Sequence, residues 1–342
     1  MEAIILAGGF GTRLRPLTYT RAKSLLPILN KPMILHLIEI LPKEVDKIIL
    51  AVNYRRNQIE KYFKNNNIGK EIIVNDEPKP LGTGGATKFA ENHITGRFLV
   101  LNSDIICSLN IKDMINFHIN NKAISTISLW PVENVSEFGV ADVNENGNIV
   151  GFVEKPKPED APSKFINAGA YCLEPEVLDY IETGRLVSME KEIFPKIIKD
   201  TKRFFGYKFS GYWMDIGRIS SYLEVNRFLM KKRNIENFQG KNNSINGLLK
   251  QSVLGSNISV GKNTNIESSV IYNNAIIGEN VKINGCVIGE KCKVGSFSNL
   301  KDTVLGDNEK IEKDTILNNK AVWTQPKPEG YPDKQIGNPV EK

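Results

Sequence analysis

This sequence contains few of the residues with which many enzymes perform acid–base or nucleophilic chemistry. Its three histidines, His36, His93 and His118, lie in stretches with helical periodicity, where we expect structural roles. Its four cysteines show no Cys-x-x-Cys spacing and no histidine in a metal-ligand register, so we predict reduced thiols. No apolar run reaches the length of a membrane span. These absences argue against a histidine-based triad, a structural metal site and a membrane protein.

The sequence also lacks a strong excess of charge of one sign. It has 45 basic and 39 acidic residues, a net charge of +6 that is dispersed along 342 residues. This balance does not favour a nucleic-acid partner, but it suits small anionic substrates. The chain starts directly with a strand-like apolar run and shows no signal peptide, so we predict a cytoplasmic protein without membrane partners. Its length predicts two domains.

The most informative stretch is near the start of the chain. An apolar run over residues 4–6 predicts a buried strand, and Gly8, Gly9 and Gly11 follow it. Such a loop can present backbone N–H groups to an anion, and Arg13 adds positive charge. The glycines alone leave a second interpretation open, a tight turn that needs glycine only for its dihedral angles. The stretch matches neither the Walker loop nor the dinucleotide fingerprint.

Up to about residue 230, strand-like runs alternate with amphipathic helical stretches. This alternation predicts an α/β fold, a Rossmann-like doubly wound and mainly parallel sheet with helices on both faces. Ligands of such sheets bind beyond the carboxyl ends of the strands, where the glycine loop would lie. The predicted elements include strands over 47–52, 72–74, 98–101 and 124–129 and helices over 32–41 and 57–65.

The remainder of the chain is repetitive. Similar four-residue segments start at Ser252, Ser269, Cys286 and Thr303, at a constant interval along the chain. Within each repeat, aliphatic residues recur at spacings of six, six and five, which predicts a three-sided β-solenoid with stacked inward side chains. The predicted domains are therefore a catalytic domain over 1–230, a linker over 231–251, four coils over 252–319 and a tail over 320–342.

The glycine loop and its continuation resemble the signature of the sugar-nucleotide pyrophosphorylases. The residues that carry the resemblance are Gly-Gly-Phe-Gly-Thr-Arg-Leu-Arg-Pro-Leu-Thr from Gly8 and Lys-Ser-Leu-Leu-Pro-Ile-Leu-Asn-Lys-Pro-Met from Lys23. The coils resemble the left-handed hexapeptide-repeat β-helix attached to many of these enzymes. One departure is that Ala22 and Ser24 replace the usual prolines around the lysine. The nucleotide-binding set that the resemblance implies is Leu6, Ala7, Gly8, Gly9, Gly11, Thr12, Arg13, Lys23, Glu77, Gly82 and Asp104.

The resemblance also implies a metal site and a sugar-phosphate site. Asp104, at the end of an apolar strand, and Asp215 match the family's metal ligands, and Mg²⁺ is the cation that two carboxylates and substrate phosphates would hold. For a strand-end aspartate taken alone, a turn or a helix cap is the favoured explanation, but the two motifs together favour a metal site. The residues that match the sugar-phosphate site are Gly139, Glu154, Lys155 and Asn167. We predict that Arg13, Lys23 and Lys155 catalyse the transfer by charge stabilisation.

Glu77 bears on the choice of nucleotide. It stands in the family's base-reading segment, where several relatives have glutamine, and a carboxylate complements the two adjacent donors of guanine. Glu77 therefore favours GTP. The segments Leu-Asn-Ser-Asp-Ile-Ile from Leu101, Ile-Asn-Ala-Gly-Ala-Tyr from Ile166 and Ser-Met-Glu-Lys-Glu-Ile-Phe-Pro from Ser188 most resemble the mannose-1-phosphate guanylyltransferases, and this resemblance implies mannose 1-phosphate as the sugar substrate. The alternatives are a glucose-1-phosphate uridylyl- or thymidylyltransferase and a non-catalytic regulatory paralogue. Because open coil ends and flat faces need partners, we also predict a homo-oligomer through the β-helix.

Overall fold

The computed structural model describes residues 1–328, and the chain folds into two compact units. The first unit comprises Met1–Gly9 and His36–Trp213, and the second comprises Phe10–Leu35 and the chain from Met214 onward. The four cysteines are buried and form no disulfide, as the sequence predicts. Within residues 1–328, no helix combines the length and the apolar character needed to span a bilayer.

The regular elements alternate along the first two thirds of the chain. The strands there are β1 (Glu2–Leu6), β2 (Pro27–Ile28), β3 (Lys31–Pro32), β4 (Lys47–Val52), β5 (Glu71–Asp76), β6 (Phe98–Asn102), β7 (Ile105–Cys107), β8 (Ser125–Pro131), β9 (Gly139–Val143), β10 (Ile149–Glu154), β11 (Phe165–Leu173), β12 (Phe204–Lys208) and β13 (Trp213–Asp215). The helices are α1 (Leu17–Thr20), α2 (Met33–Ile38), α3 (Arg56–Asn65), α4 (Gly82–Phe89), α5 (Ile111–Asn120), α6 (Phe194–Asp200) and α7 (Ile219–Lys232). Short 3₁₀ segments lie at Thr12–Leu14, Lys23–Leu25, Glu91–His93, Pro158–Asp160 and Pro175–Tyr180, and a π-helical turn spans Met189–Ile193.

A mixed nine-stranded sheet forms the centre of the first unit. Its main order is β10-β9-β11-β6-β1-β4-β5, with β8 paired to β11 and β12 paired to β8. β1, β4, β5 and β6 are parallel to one another, whereas β11 runs antiparallel to its neighbours. Apolar residues on both faces of the central strands are fully buried, for example Ile4 and Val100 on one face and Ile5 and Leu101 on the other. The α/β class is confirmed, and the antiparallel half of the sheet is the part that periodicity did not predict.

The second unit contains a three-sided parallel β-helix. Its strands are β14 (Phe238–Gln239), β15 (Ser244–Ile245), β16 (Leu248–Lys250), β17 (Val253–Leu254), β18 (Ser259–Val260), β19 (Asn265–Glu267), β20 (Val270–Ile271), β21 (Ile276–Ile277), β22 (Lys282–Asn284), β23 (Val287–Ile288), β24 (Lys293–Val294), β25 (Asn299–Lys301), β26 (Val304–Leu305), β27 (Lys310–Ile311), β28 (Ile316–Asn318) and β29 (Ala321–Val322). Every third strand belongs to the same sheet. The predicted stack of inward aliphatics is confirmed, because these residues form one apolar core.

The corners of the coils have a common backbone feature. Residues with positive φ recur every five or six positions, beginning with Asn257 (58°), Asn263 (56°) and Ser268 (49°). Asparagine is the most frequent residue at these positions, because its short polar side chain tolerates the left-handed conformation better than most others. The abundance of asparagine in this part of the chain therefore has a structural cause.

The structure corrects the predicted linker over 231–251. The strands β14, β15 and β16 lie inside it and pair with β17, β18 and β19, so these residues form a first coil. Phe238 pairs with Val253, and Val253 pairs in turn with Val270, so the first coil is shorter than the coil that follows it. An alignment at the constant interval of the later coils therefore could not find this one. The predicted tail over 320–342 likewise contains β29, and its residues 329–342 lie outside the described residues.

The division of the chain differs from the predicted continuous domain over 1–230. Residues 10–35, which we call the loop segment, belong to the second unit, as does α7. The loop segment begins in the middle of the glycine loop, immediately after Gly9. Sequence patterning could not predict this division, because it depends on contacts between residues that are far apart in the chain.

Candidate active site

The carboxyl end of β1 is held in place in the first unit. The Ser103 amide donates a hydrogen bond to the Leu6 carbonyl (3.2 Å), and the Ala7 amide donates to the Ala51 carbonyl (2.8 Å). The chain therefore leaves the strand in a defined position. A Cβ atom built on Gly9 would have no atom of the protein within 4 Å. Its backbone is thus open to the close approach of a ligand, as the phosphate-loop interpretation requires.

Glu77 lies beside this turn. Its Oε1 atom would be 3.7 Å from a Cβ atom built on Gly8, and its Oε2 atom accepts a hydrogen bond from the Leu81 amide (3.2 Å). The side chain is 7% exposed. Burial raises the pKa of Glu77; the Leu81 N–H opposes that effect, and the charge of Asp76 adds to it. A carboxylate thus lies next to the loop that was predicted to hold a nucleotide.

Gly82 and Asp104 belong to the same predicted nucleotide-binding set as Glu77. Gly82 has a φ of 73°, and a Cβ atom there would lie 2.6 Å from the Val187 carbonyl oxygen. Both its conformation and its packing therefore require glycine, and its nucleotide-binding role stays a prediction. Asp104 is partly exposed in the turn between β6 and β7. This is the position beyond a central strand at which α/β proteins place functional side chains.

Three residues of the predicted sugar-phosphate site lie close together where β9 begins and β10 ends. Glu154 pairs with Gly139 in the strand register, and Lys155 follows directly. A Cβ atom on Gly139 would lie 2.7 Å from Glu154 Oε2 and 2.4 Å from the Phe152 ring. Glycine is therefore required for the carboxylate to occupy its position. Lys155 Nζ is 3.9 Å from Glu154 Oε1, and the lysine side chain is 63% exposed, so this pair contributes little to stability.

A hydrogen-bond network beside Asn167 was missed by sequence reasoning. The Asn167 amide donates to the buried Tyr171 hydroxyl (2.9 Å), which donates to Glu190 Oε1 (3.1 Å). Glu190 Oε2 accepts hydrogen bonds from the Thr83 hydroxyl (2.7 Å) and the Ser188 hydroxyl (2.8 Å). Glu190 carried no spacing signal, because its partners come from three separate parts of the chain. The network holds the Asn167 side chain in one orientation.

Glu154 is electrostatically coupled to this network. Burial raises the pKa of Glu154, and the negative charge of Glu190 raises it further, while Lys155 and Lys191 oppose the increase. When the solution is acidified, the Glu154 carboxylate therefore becomes protonated at a higher pH than an ordinary glutamate. If its charged form binds the substrate hydroxyls, binding weakens on the acidic side of the pH profile.

We expect Glu190→Gln to shift the acidic limb of the pH profile to lower pH. The substitution removes a like charge and so lowers the pKa of Glu154, which then stays ionised to lower pH. The measurement is kcat/KM for the predicted sugar-phosphate substrate from pH 5 to 8 in wild type and variant. The titration of the substrate itself affects both proteins equally and cancels in the comparison. Glu176→Gln, at an exposed residue paired with Arg203, is the matched control. An unshifted limb in Glu190→Gln would contradict the coupling.

The loop segment carries the remaining predicted nucleotide-binding residues, in the second unit. Gly11 has a φ of 61° and precedes the 3₁₀ segment Thr12–Leu14. A Cβ atom on Gly11 would lie 2.8 Å from Thr18 Cγ2 and 3.3 Å from Lys23 Cβ. The Thr18 hydroxyl donates to the Gly11 carbonyl (2.9 Å). The structure thus brings the stem of Lys23 next to Gly11. The binding of nucleotide phosphates by Lys23 stays a prediction.

The residues that replace the family prolines around Lys23 are buried. Ala22 is 2% exposed and Ser24 is 1% exposed. The Leu25 amide donates to the Ala22 carbonyl (2.9 Å), and the Leu26 amide donates to the Lys23 carbonyl (3.1 Å). Burial and these two hydrogen bonds restrict the turn, so it does not depend on proline for its shape.

Arg13 and Asp215 lie close together within the second unit. A Cβ atom built on Gly217 would be 2.8 Å from Arg13 Nη2 and 2.9 Å from Asp215 Oδ2. Within residues 1–328, no group of three or more histidine, cysteine, aspartate or glutamate side chains is arranged to hold a metal ion. Asp104 and Asp215 lie in different units, and each carries a carboxylate, the kind of hard oxygen ligand that Mg²⁺ prefers. Their role as metal ligands stays a prediction.

The comparison with protein families agrees with this geometry. The sequence profile described as "Nucleotidyl transferase" matches residues 2–232, more than half of the chain. The chain belongs to the nucleotidyl transferase family. The profile described as "GMPPB C-terminal domain" matches residues 244–329 of this nucleotidyl transferase, and this range includes strands that lie in the predicted linker.

Several curated proteins are similar to this nucleotidyl transferase. The "Mannose-1-phosphate guanylyltransferase catalytic subunit beta" of Drosophila melanogaster is 42% identical over 231 residues, which cover 65% of this chain and 61% of that protein. The "Mannose-1-phosphate guanyltransferase beta-B" of Xenopus laevis is 42% identical over 230 residues, covering 65% and 63%. The matches thus span about six tenths of the length of these relatives.

Two solved structures resemble this nucleotidyl transferase in fold. One is HddC from Yersinia pseudotuberculosis complexed with GMP-PN, with a TM-score of 0.57 and 29% identity over 67% of this chain and 99% of that chain. The other is a UDP-glucose pyrophosphorylase complexed with UDP-glucose, with a TM-score of 0.61 and 25% identity over 68% of this chain and 99% of that chain. Both comparisons cover about two thirds of the present chain.

Proposed function

We propose that this protein condenses a nucleoside triphosphate with a sugar 1-phosphate to give a nucleotide sugar and pyrophosphate, with GTP and mannose 1-phosphate as the substrates. Relatives that are 42% identical bear the name mannose-1-phosphate guanylyltransferase, and this supports the sugar assignment. The observation that carries the guanine assignment is the buried Glu77 carboxylate beside Gly8. Guanine offers it two adjacent donors, whereas uracil and thymine offer one N–H flanked by carbonyl oxygens.

The proposed reaction needs little proton transfer from the protein. A phosphate monoester has a second pKa of about 6, so the attacking oxygen of the sugar phosphate is already anionic at neutral pH. This oxygen forms a bond to the α-phosphorus, and the bond to the bridging oxygen of pyrophosphate breaks. We propose that Arg13 and Lys23 hold the nucleotide phosphates and that Lys155 holds the sugar phosphate. Their charges orient two polyanions that would otherwise repel each other.

We further propose that Asp104 and Asp215 bind Mg²⁺ together with the nucleotide phosphates. A bound Mg²⁺ ion would neutralise charge that develops on the α-phosphate and on the departing pyrophosphate. On the sugar side, we propose that the Glu154 carboxylate accepts hydrogen bonds from sugar hydroxyls, that Asn167 binds a further hydroxyl, and that Gly139 packs against the sugar ring. A homo-oligomer through the β-helix remains part of the proposal, and sedimentation equilibrium would measure it.

We expect pyrophosphate release to be fastest with GTP and mannose 1-phosphate. The assay pairs ATP, CTP, GTP, UTP and dTTP with mannose 1-phosphate or glucose 1-phosphate in the presence of Mg²⁺. Glu77→Gln should lower the preference for GTP over UTP by about tenfold or more, since the two guanine donors lose a charged acceptor.

The other outcomes of this assay separate the alternatives. Activity only with UTP or dTTP and glucose 1-phosphate would keep the reaction class and contradict the role of Glu77. No release with any pair, from a folded protein that binds a nucleotide sugar, would favour the regulatory paralogue. Glu71→Gln is the matched control, because it removes an exposed carboxylate at the start of β5 and should leave the preference for GTP unchanged.

A further inference from the structure

The loop segment is attached along one corner of the β-helix. Its partners on the β-helix come from successive coils, and all lie along one of the three sheets. Each partner is either the last residue of a strand or lies one or two residues after it. These partners are Leu254, Tyr272, Glu290, Asp307 and Trp323. Because the coils repeat regularly, residues at the same place in each coil form a straight line along the β-helix. The attachment is therefore a consequence of the repeat.

An ion pair forms the middle of this attachment. Arg21 Nη2 is 2.8 Å from Glu290 Oε2 and 3.6 Å from Asp307 Oδ2, and the guanidinium lies 4.9 Å from the centre of the Tyr272 ring. The Thr20 hydroxyl donates to Asp307 Oδ2 (2.7 Å). The Arg21 side chain is only 20% exposed. Its charge is therefore stabilised by these partners to a greater extent than the charge of a surface arginine, which water stabilises.

Further contacts hold the loop segment on both sides of Arg21. On one side, the Tyr19 and Trp323 rings lie 5.1 Å apart. On the other side, the Asn30 amide donates to the Leu254 carbonyl (2.7 Å). As the segment runs from residue 19 to residue 30, its partners move back from the last coils to the early ones.

The Pro27 carbonyl is held through a pair of tyrosines. It accepts a hydrogen bond from the Tyr222 hydroxyl, which in turn accepts one from the Tyr272 hydroxyl (3.0 Å). Both tyrosines are buried, so neither hydroxyl can exchange its partner for bulk water without cost. Lys23 therefore lies between two anchored points, Arg21 and Pro27.

We infer that Glu290 and Asp307 are positioning residues for the nucleotidyl transfer. They hold Arg21, which is two residues before Lys23, and so they determine where Lys23 stands relative to the Gly11 turn. The inference rests on the proposed function, in which Lys23 holds the nucleotide phosphates. The β-helix then has a role in catalysis as well as in assembly, since small displacements of a charge that binds phosphate lower the rate strongly.

The test is the double variant Glu290→Gln/Asp307→Asn. We expect KM for the nucleotide to rise about tenfold, because a displaced Lys23 no longer meets the phosphates, while KM for the sugar phosphate stays unchanged. Glu267→Gln is the matched control: it removes a coil carboxylate that is 3.0 Å from Lys250 and outside the attachment. If the double variant does not fold, Glu290→Gln alone replaces it, since that side chain is 30% exposed. Arg21→Lys, which keeps the charge, should lie between wild type and Arg21→Gln.

Hydrogen exchange provides a readout that does not need activity. In the double variant, amides of residues 14–30 should exchange faster, while those of β4 stay as protected as in wild type. An unchanged nucleotide KM would overturn the inference, as would an equal rise in both KM values with faster exchange everywhere. If wild type transfers no nucleotide, the proposed function fails. In that case, faster exchange confined to residues 14–30 would still support the inference that Glu290 and Asp307 hold the loop segment in place. Unchanged exchange would overturn that inference.

Discussion

Replacing Asp104 by asparagine is expected to lower kcat about 10³-fold without unfolding the protein, and Asp215→Asn should do the same. Asparagine keeps the size of the side chain and removes the charge that a hard cation requires. Both residues are only partly buried, so the loss of charge leaves no large unsatisfied group in the core. The expectation rests on the proposed Mg²⁺ site, and the measurement is pyrophosphate release as a function of Mg²⁺ concentration.

The controls for this experiment separate metal binding from a general effect of charge. Asp200→Asn removes an exposed carboxylate at the end of α6 and should leave the rate unchanged. Binding of Mn²⁺ in the presence of nucleotide, followed by electron paramagnetic resonance, should weaken in both active-site variants and not in Asp200→Asn. A near-normal kcat in Asp104→Asn or Asp215→Asn would rule out that residue as a metal ligand.

The variant Gly11→Ala is expected to raise KM for the nucleotide by about 10²-fold, since the loop can no longer hold its conformation. Gly11 has a φ of 61°, and an added Cβ atom would lie 2.8 Å from Thr18 Cγ2. The left-handed conformation alone costs a residue with a side chain about 1–2 kcal/mol. Because the Lys23 stem lies 3.3 Å from the same point, any shift that relieves the clash also moves a phosphate-binding charge.

Three further variants identify the cause of the loss. Gly96→Ala adds a Cβ atom in open space at ordinary φ and should change neither stability nor KM. Gly9→Ala meets no protein atom within 4 Å, so it should raise KM for the nucleotide without lowering the melting temperature. Thr18→Ser removes the methyl group and keeps the hydroxyl that bonds to Gly11. Combined with Gly11→Ala it should restore part of the lost affinity, and no recovery would contradict the steric explanation.

Much of the fold could be predicted from local pattern. The aliphatic residues spaced six, six and five apart, such as Ile271, Ile277 and Ile283, do form the core of the β-helix. The strands over 47–52 and 98–101 were predicted within one residue of β4 and β6. The first coil was missed because it is shorter than the others, and the antiparallel β11 was missed because an apolar strand carries no mark of its direction.

The residues by themselves place only neighbours in a motif together, such as Glu154 and Lys155. The resemblance assigned Gly139 to the same predicted site, and the strand register is what brings it to Glu154. Glu190 and Tyr171 were not predicted as part of the site, because their hydrogen bonds join β11, α4 and the π-helical turn. No spacing along the chain indicates such a network, since it depends on which elements pack together.

The sequence by itself determined the family, the α/β class, the β-helix and the identity of most proposed site residues. These depend on short motifs and on periodicity, which follow from local backbone geometry and from the burial of apolar side chains. Only the tertiary structure decided that the loop segment belongs with the β-helix and that Arg21 pairs with Glu290. These features depend on contacts between residues near the beginning of the chain and residues in its last coils. No local sequence pattern indicates which distant segments will pack together.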